Sequence, residues 1–115
     1  FLPAKKIEEI VERAKNGGIE IVNFLKTGSA FYAPAASAVQ MVEGIIKDKK
    51  RILPCAVHLE GEYGIKNLYV GVLAKLGANG MEQVIELDLN ETEKGLLKKS
   101  ADSVQGLVNV LEGKA

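Results

Sequence analysis

The chain contains no tryptophan, one cysteine, one histidine and three prolines, and its formal charge is zero. Each scarcity excludes something. A lone Cys55 cannot build a disulfide framework within the chain, so a reducing compartment and a cytoplasmic setting are expected. Fifteen basic residues against fifteen acidic ones leave no surplus of lysine and arginine to displace counterions, which argues against a nucleic-acid binder. The one basic run, Lys47 to Arg51, reads as a solvated helix end, where cations suit the macrodipole. No apolar run approaches the roughly 20 residues needed to span a bilayer, and there is no signal-peptide pattern, so no membrane partner is expected. The sequence starts at Phe1 rather than methionine, as a processed product, a cloned segment or a piece cut from something longer would.

What remains is ordinary for a soluble domain: 115 residues, 47% hydrophobic and 26% charged, enough for one modest core. After Pro3, Ile7, Ile10, Val11 and Ala14 follow helical spacing. Gly17-Gly18 predicts an interruption or kink, and Gly28 a C-terminal stop. Pro34 is expected to open a second helix carrying Ala38, Val39, Val42, Ile45 and Ile46. From Arg51 the pattern turns strand-like, with Pro54 expected at an edge or bulge. "EYG" makes a turn, and Leu68, Val70 and Val72 share a face of the next strand. Asn79-Gly80 is the preferred pair for a tight hairpin. A third strand is then expected, with Ile85, Leu87 and Leu89 alternating against Glu86 and Asp88. Asn90 and Glu93 form a capping-box pattern ahead of a helix whose stripe is Leu97, Ala101, Val104, Val108 and Leu111. Helices, antiparallel strands and a long C-terminal helix make an α+β fold.

The residues by themselves offer little chemistry. His58 lies in an alternating strand without a ligand or catalytic motif around it, and reads as a side chain on the wetter face. Cys55 has no basic neighbour in sequence to favour a thiolate and reads as a buried thiol. Glu60 and Glu62 flank a glycine in a turn, and nothing nearby would separate their pKa values as an acid/base pair requires. "GANG" lacks the lysine–serine pair of a phosphate loop, and no dinucleotide fingerprint is present. No catalytic residue and no metal ligand is assigned. "GSAFYAP" (Gly28 to Pro34) stands out by its small residues, which by composition alone suit a close helix–helix approach.

Three blocks change that reading: "KTGSAFYAPAASAVQMVE" from Lys26, "LPCAVHLEGEYGIKNLYVGV" from Leu53 and "LGANGMEQVIEL" from Leu76. In order and spacing they resemble the C-terminal region of the lactate/malate dehydrogenase family, most closely its lactate-dehydrogenase-like bacterial malate dehydrogenases. Leu73 departs from the pattern, since relatives usually carry proline there. The resemblance covers nearly the whole chain. It implies a C-terminal substrate domain over residues 1–115, with helices packed on an antiparallel sheet and the N-terminal Rossmann NAD-binding domain absent from these residues. It implies an NAD-dependent oxidoreductase interconverting malate and oxaloacetate, with the catalytic histidine–aspartate pair and the substrate arginines upstream. Its substrate-binding residues here would be Gly28, Ser29 and Ala30, with Pro34 near the nicotinamide. His58 does not match the catalytic motif. The expected partners are malate or oxaloacetate, the chain's own N-terminal domain, and further copies in a dimer or tetramer. The alternatives are a lactate-dehydrogenase-like enzyme for another 2-hydroxy acid and a non-catalytic interaction module of the same fold.

Overall fold

Helix α1 (Ala4–Leu25) begins directly after Pro3, whose carbonyl accepts the Lys6 and Ile7 N–H groups at 2.9 and 3.2 Å. The computed structural model describes residues 2–113, which fall into two units, one up to residue 40 and one from residue 41. In the first unit, α1 runs through Gly17-Gly18 without the expected break. Each glycine costs a helix roughly 1 kcal/mol, but hydrogen bonding is cooperative once a long helix has nucleated. The Arg13–Glu20 ion pair, 2.9 Å across two turns, spans the two glycines. No described residue of α1 is buried.

The end of α1 also differs from expectation. The helix stops at Leu25, and Lys26, not Gly28, takes the positive-φ position at the cap (φ 63°). Helix α2 (Tyr32–Ile46) likewise begins two residues before Pro34. A proline is tolerated in the first turn because the N–H it lacks would have no intrahelical partner there.

In the second unit, β1 (Arg51–Glu60), β2 (Lys66–Gly77) and β3 (Gly80–Ile85) form an antiparallel sheet in the order β1-β2-β3. A one-turn 3-10 helix, Glu62–Gly64, links the first two strands. Pro54 lies on the edge strand β1, opposite Leu73, and the register irregularity is elsewhere, between Leu59 and Glu60. Leu73, for its part, sits in an unbroken β2. Alternation sends Cys55, Val57 and Leu59 of β1 and Leu68, Val70 and Val72 of β2 to one buried face. Helix α3 (Glu91–Leu111) covers β2 through Leu97, Ala101, Val104 and Val108. The last residue expected in that stripe, Leu111, is 87% exposed because it lies beyond the end of the sheet-packed cluster.

Two further expectations are corrected. The hairpin loop is Ala78-Asn79, with Gly77 opposite Gly80; of these positions only Gly80 has positive φ (84°), so the turn is not built on an Asn-Gly centre. And β3 ends at Ile85 rather than Leu89. Ile85 pairs with Leu73, so continuing the ladder would set Glu86 opposite Val72 and Asp88 opposite Val70. Both valines point into the core, and two carboxylates placed there would be desolvated without partners. The strand stops where its polar residues would face inward. Asn90 and Glu93 then close the predicted capping box at 3.0 and 2.9 Å. Among the described residues no helix is long and apolar enough to cross a membrane.

Candidate functional site

The segment between α1 and α2 is built by short backbone bonds. The Lys26 N–H closes the helix on Val22 O at 3.0 Å, Thr27 N–H donates to Leu25 O at 2.7 Å, and Phe31 N–H donates to Ser29 O at 3.0 Å. Gly28 sits at φ 93°, a region that side-chain-bearing residues avoid, with open space where a Cβ would be. Gly28 and Ser29 are exposed and Ala30 is half-buried. Among the described residues the Ser29 hydroxyl has no hydrogen-bond partner. Phe31 and Tyr32 follow as a tilted ring pair 4.8 Å apart, and Pro34 falls in the first turn of α2. Gly28, Ser29 and Ala30 thus share one connection, with Pro34 just beyond it in α2, and the turn leaves the Ser29 hydroxyl uncommitted. Shape and one donor are what it offers; no base or nucleophile accompanies them.

The groups set aside in the sequence remain unremarkable as chemistry. His58 is half-buried on the outer face of β1, edge-on to Tyr69 at 5.2 Å, with Nδ1 3.8 Å from Glu60 Oε1. The Glu62 carboxylate accepts the Glu60 N–H at 2.7 Å; its own backbone N–H and that of Glu60 hold its pKa below the usual carboxylate value. It braces a turn. Cys55 is buried, and burial pushes its thiol pKa up, away from reactivity. No three His, Cys, Asp or Glu side chains cluster as a metal site among the described residues.

The basic run is spent locally. Lys47, Lys49 and Arg51 reach the Glu43 carboxylate at 2.7, 3.1 and 3.7 Å. Lys50 bridges Asp48 at 2.9 Å and Glu82 at 2.8 Å. Asp48 in turn accepts the Ala78 N–H at 2.7 Å, tying the loop after α2 to the β2–β3 hairpin.

Sequence reasoning missed a cleft of about 640 Å³ between the Tyr63–Lys66 turn, residues 86–89 and α3, floored by Leu68, Leu97 and Ala101. Its one signal was Tyr63, an aromatic residue inside what reads as a plain turn. The phenol accepts the Leu87 N–H at 2.8 Å and donates to Ile85 O at 3.2 Å.

Comparison with known proteins gives the connection and the sheet a context. The family described as lactate/malate dehydrogenase, alpha/beta C-terminal domain, matches residues 2–112. The malate dehydrogenase of Pelodictyon phaeoclathratiforme is 62% identical over 105 residues, 91% of this chain and 34% of that protein. The solved malate dehydrogenase of Salinibacter ruber is 52% identical with a TM-score of 0.91, over 97% of this chain and 36% of its own. The Eimeria maxima lactate dehydrogenase, solved with NADH and oxamate, is 41% identical with a TM-score of 0.90, over 98% of this chain and 34% of its own. The chain therefore spans about a third of the length of these relatives.

Proposed function

Since the chain belongs to the lactate/malate dehydrogenase family and carries its C-terminal α/β domain, we propose that it forms the substrate-side wall of an NAD-dependent malate dehydrogenase. The observation that carries this reading is the 62% identity, across 91% of the chain, to a protein named malate dehydrogenase. Malate and oxaloacetate are then the substrate pair, and NAD, when bound, exchanges a hydride with the acid's C2. The chain's own part is binding and shape. Gly28 and Ala30 leave volume for a dicarboxylate, and the uncommitted Ser29 hydroxyl donates to one of its carboxylates. Pro34 stiffens the first turn of α2 beside the nicotinamide. It has no N–H to offer, and the chain has no glycine-rich turn for a pyrophosphate, so the chain's fit to NAD is limited to walling the nicotinamide. The rest of the cofactor is held by an N-terminal Rossmann domain. A cytoplasmic setting, suited to the unpaired thiol, and assembly as a dimer or tetramer belong to the same reading.

Two preparations test it. The 115-residue chain by itself should show no NADH oxidation with oxaloacetate. Joined to the N-terminal two thirds of the Salinibacter ruber dehydrogenase, it should turn over, and Ser29→Ala in that chimera should raise KM for oxaloacetate about tenfold, the worth of one hydrogen bond to a charged group. Turnover by the chain alone, or a folded chimera without activity, overturns the proposal. The likeness to the Eimeria lactate dehydrogenase supports a second reading, action on another 2-hydroxy acid. A preference of the intact protein for pyruvate over oxaloacetate would select it.

A further inference from the structure

Residues 86–89 have a strand's alternation and no strand to join. Beyond Ile85 the ladder is abandoned, and the Leu87 N–H goes to the Tyr63 hydroxyl at 2.8 Å instead. The same hydroxyl donates to Ile85 O at 3.2 Å, and the Tyr63 N–H donates to Glu86 Oε1 at 2.8 Å. Tyr63 achieves this from a strained position: its φ is 53°, between Gly61 at 149° and Gly64 at 72°. Clefts of about 640 and 270 Å³ flank the segment, and Tyr63, Leu87, Leu89 and Leu97 line both.

We propose that residues 86–89 form a strap latched by the Tyr63 hydroxyl, and that releasing this phenol joins the two clefts into one apolar groove over Leu97. Apart from the Tyr63 N–H bond to Glu86, little else among the described residues holds the strap. Glu86, Leu87 and Asp88 are exposed, and only Leu89 is half-buried. Both ends, by contrast, are anchored: β3 is paired to β2 up to Ile85, and the Asn90–Glu93 capping box fixes the start of α3. A short segment with few buried contacts between two fixed ends opens locally, without unfolding what flanks it. The device is independent of which acid the intact protein acts on.

Amide hydrogen exchange of the chain tests the latch. In Tyr63→Phe, which keeps the ring and removes the hydroxyl, the Leu87 amide should exchange about tenfold faster, while Leu68 and Val70 in β2 stay unchanged. An unchanged Leu87 overturns the proposal, and so does equal acceleration at all three amides, which would mark Tyr63 as a general stabiliser. If the variant does not fold, the unmodified chain decides: Leu87 must exchange at least about tenfold faster than Val70, and equal rates overturn the strap.

Discussion

Glu43 collects three cations within 4 Å, and its hydrogen bonds with Lys47 and then Lys49 lower its pKa from the ordinary 4.5 to about 2. The sign of the consequence follows from linkage. A carboxylate whose folded pKa is depressed stabilises the fold above its unfolded value, and that contribution is lost as pH falls from about 4.5 towards 2. Asp48 and Glu82 are lowered in the same direction, Asp48 chiefly by the Ala78 N–H and Glu82 chiefly by Lys50. Stability measured by urea titration should therefore decline between pH 5 and pH 2, and Glu43→Gln should flatten part of that slope, with an unfolding midpoint below the parent's at pH 5 that converges on it towards pH 2. A Glu43→Gln profile parallel to the parent's would mean that solvent screening leaves the cluster energetically idle.

At the scale of elements, α3 stands on its cap. Asn90→Ala removes the acceptor for the Glu93 N–H and should cost about 1 kcal/mol, whereas Asn90→Gly should cost only a few tenths; denaturant unfolding distinguishes the two. No difference between them would mean the cap is redundant with packing. This helix start was legible in sequence because the two partners are three residues apart. So was the buried face of β1 and β2, where local alternation and tertiary burial agree. The end of β3 was not: Leu87 and Leu89 keep the alternation, and the strand stops only because Glu86 and Asp88 would face Val72 and Val70 across a register set elsewhere. Nor was Tyr63, whose bonds reach 22 and 24 residues along the chain. Gly17-Gly18 misled because glycine lowers helix propensity without forbidding helix. Of the candidate site, spacing alone revealed only that small residues gather at Gly28–Ala30. The dehydrogenase reading came from the ordered blocks of resemblance, since the catalytic partners expected for these residues are not among them.

On the scale of the molecule, each unit carries apolar surface that its own residues do not cover. In the first, α1 exposes Ile7, Ile10, Val11, Ile21 and Val22 at helical spacing and buries no residue. In the second, α3 leaves Leu96, Leu107 and Val110 exposed, outside the stripe that meets the sheet. A helix draws most of its stability from tertiary packing of such a face, so α1 lacks within the described residues of its own unit what would hold it, and relatives about three times as long supply much more surface. Trypsin reports on this directly, because α1 carries Arg13 and Lys15 while β2 carries Lys75 inside the paired sheet. Cleavage after Arg13 or Lys15 should be at least about tenfold faster in the 115-residue chain than in the chimera with the Salinibacter N-terminal portion, with Lys75 resistant in both. Equal resistance of α1 in both would sink the idea that the remaining two thirds of a dehydrogenase orders this helix. Protection that rises with the concentration of the free chain would instead identify a second copy as the cover for α1. In either case the resistance of Lys75 serves as the internal control, since the core of β1, β2 and α3 is complete within the second unit.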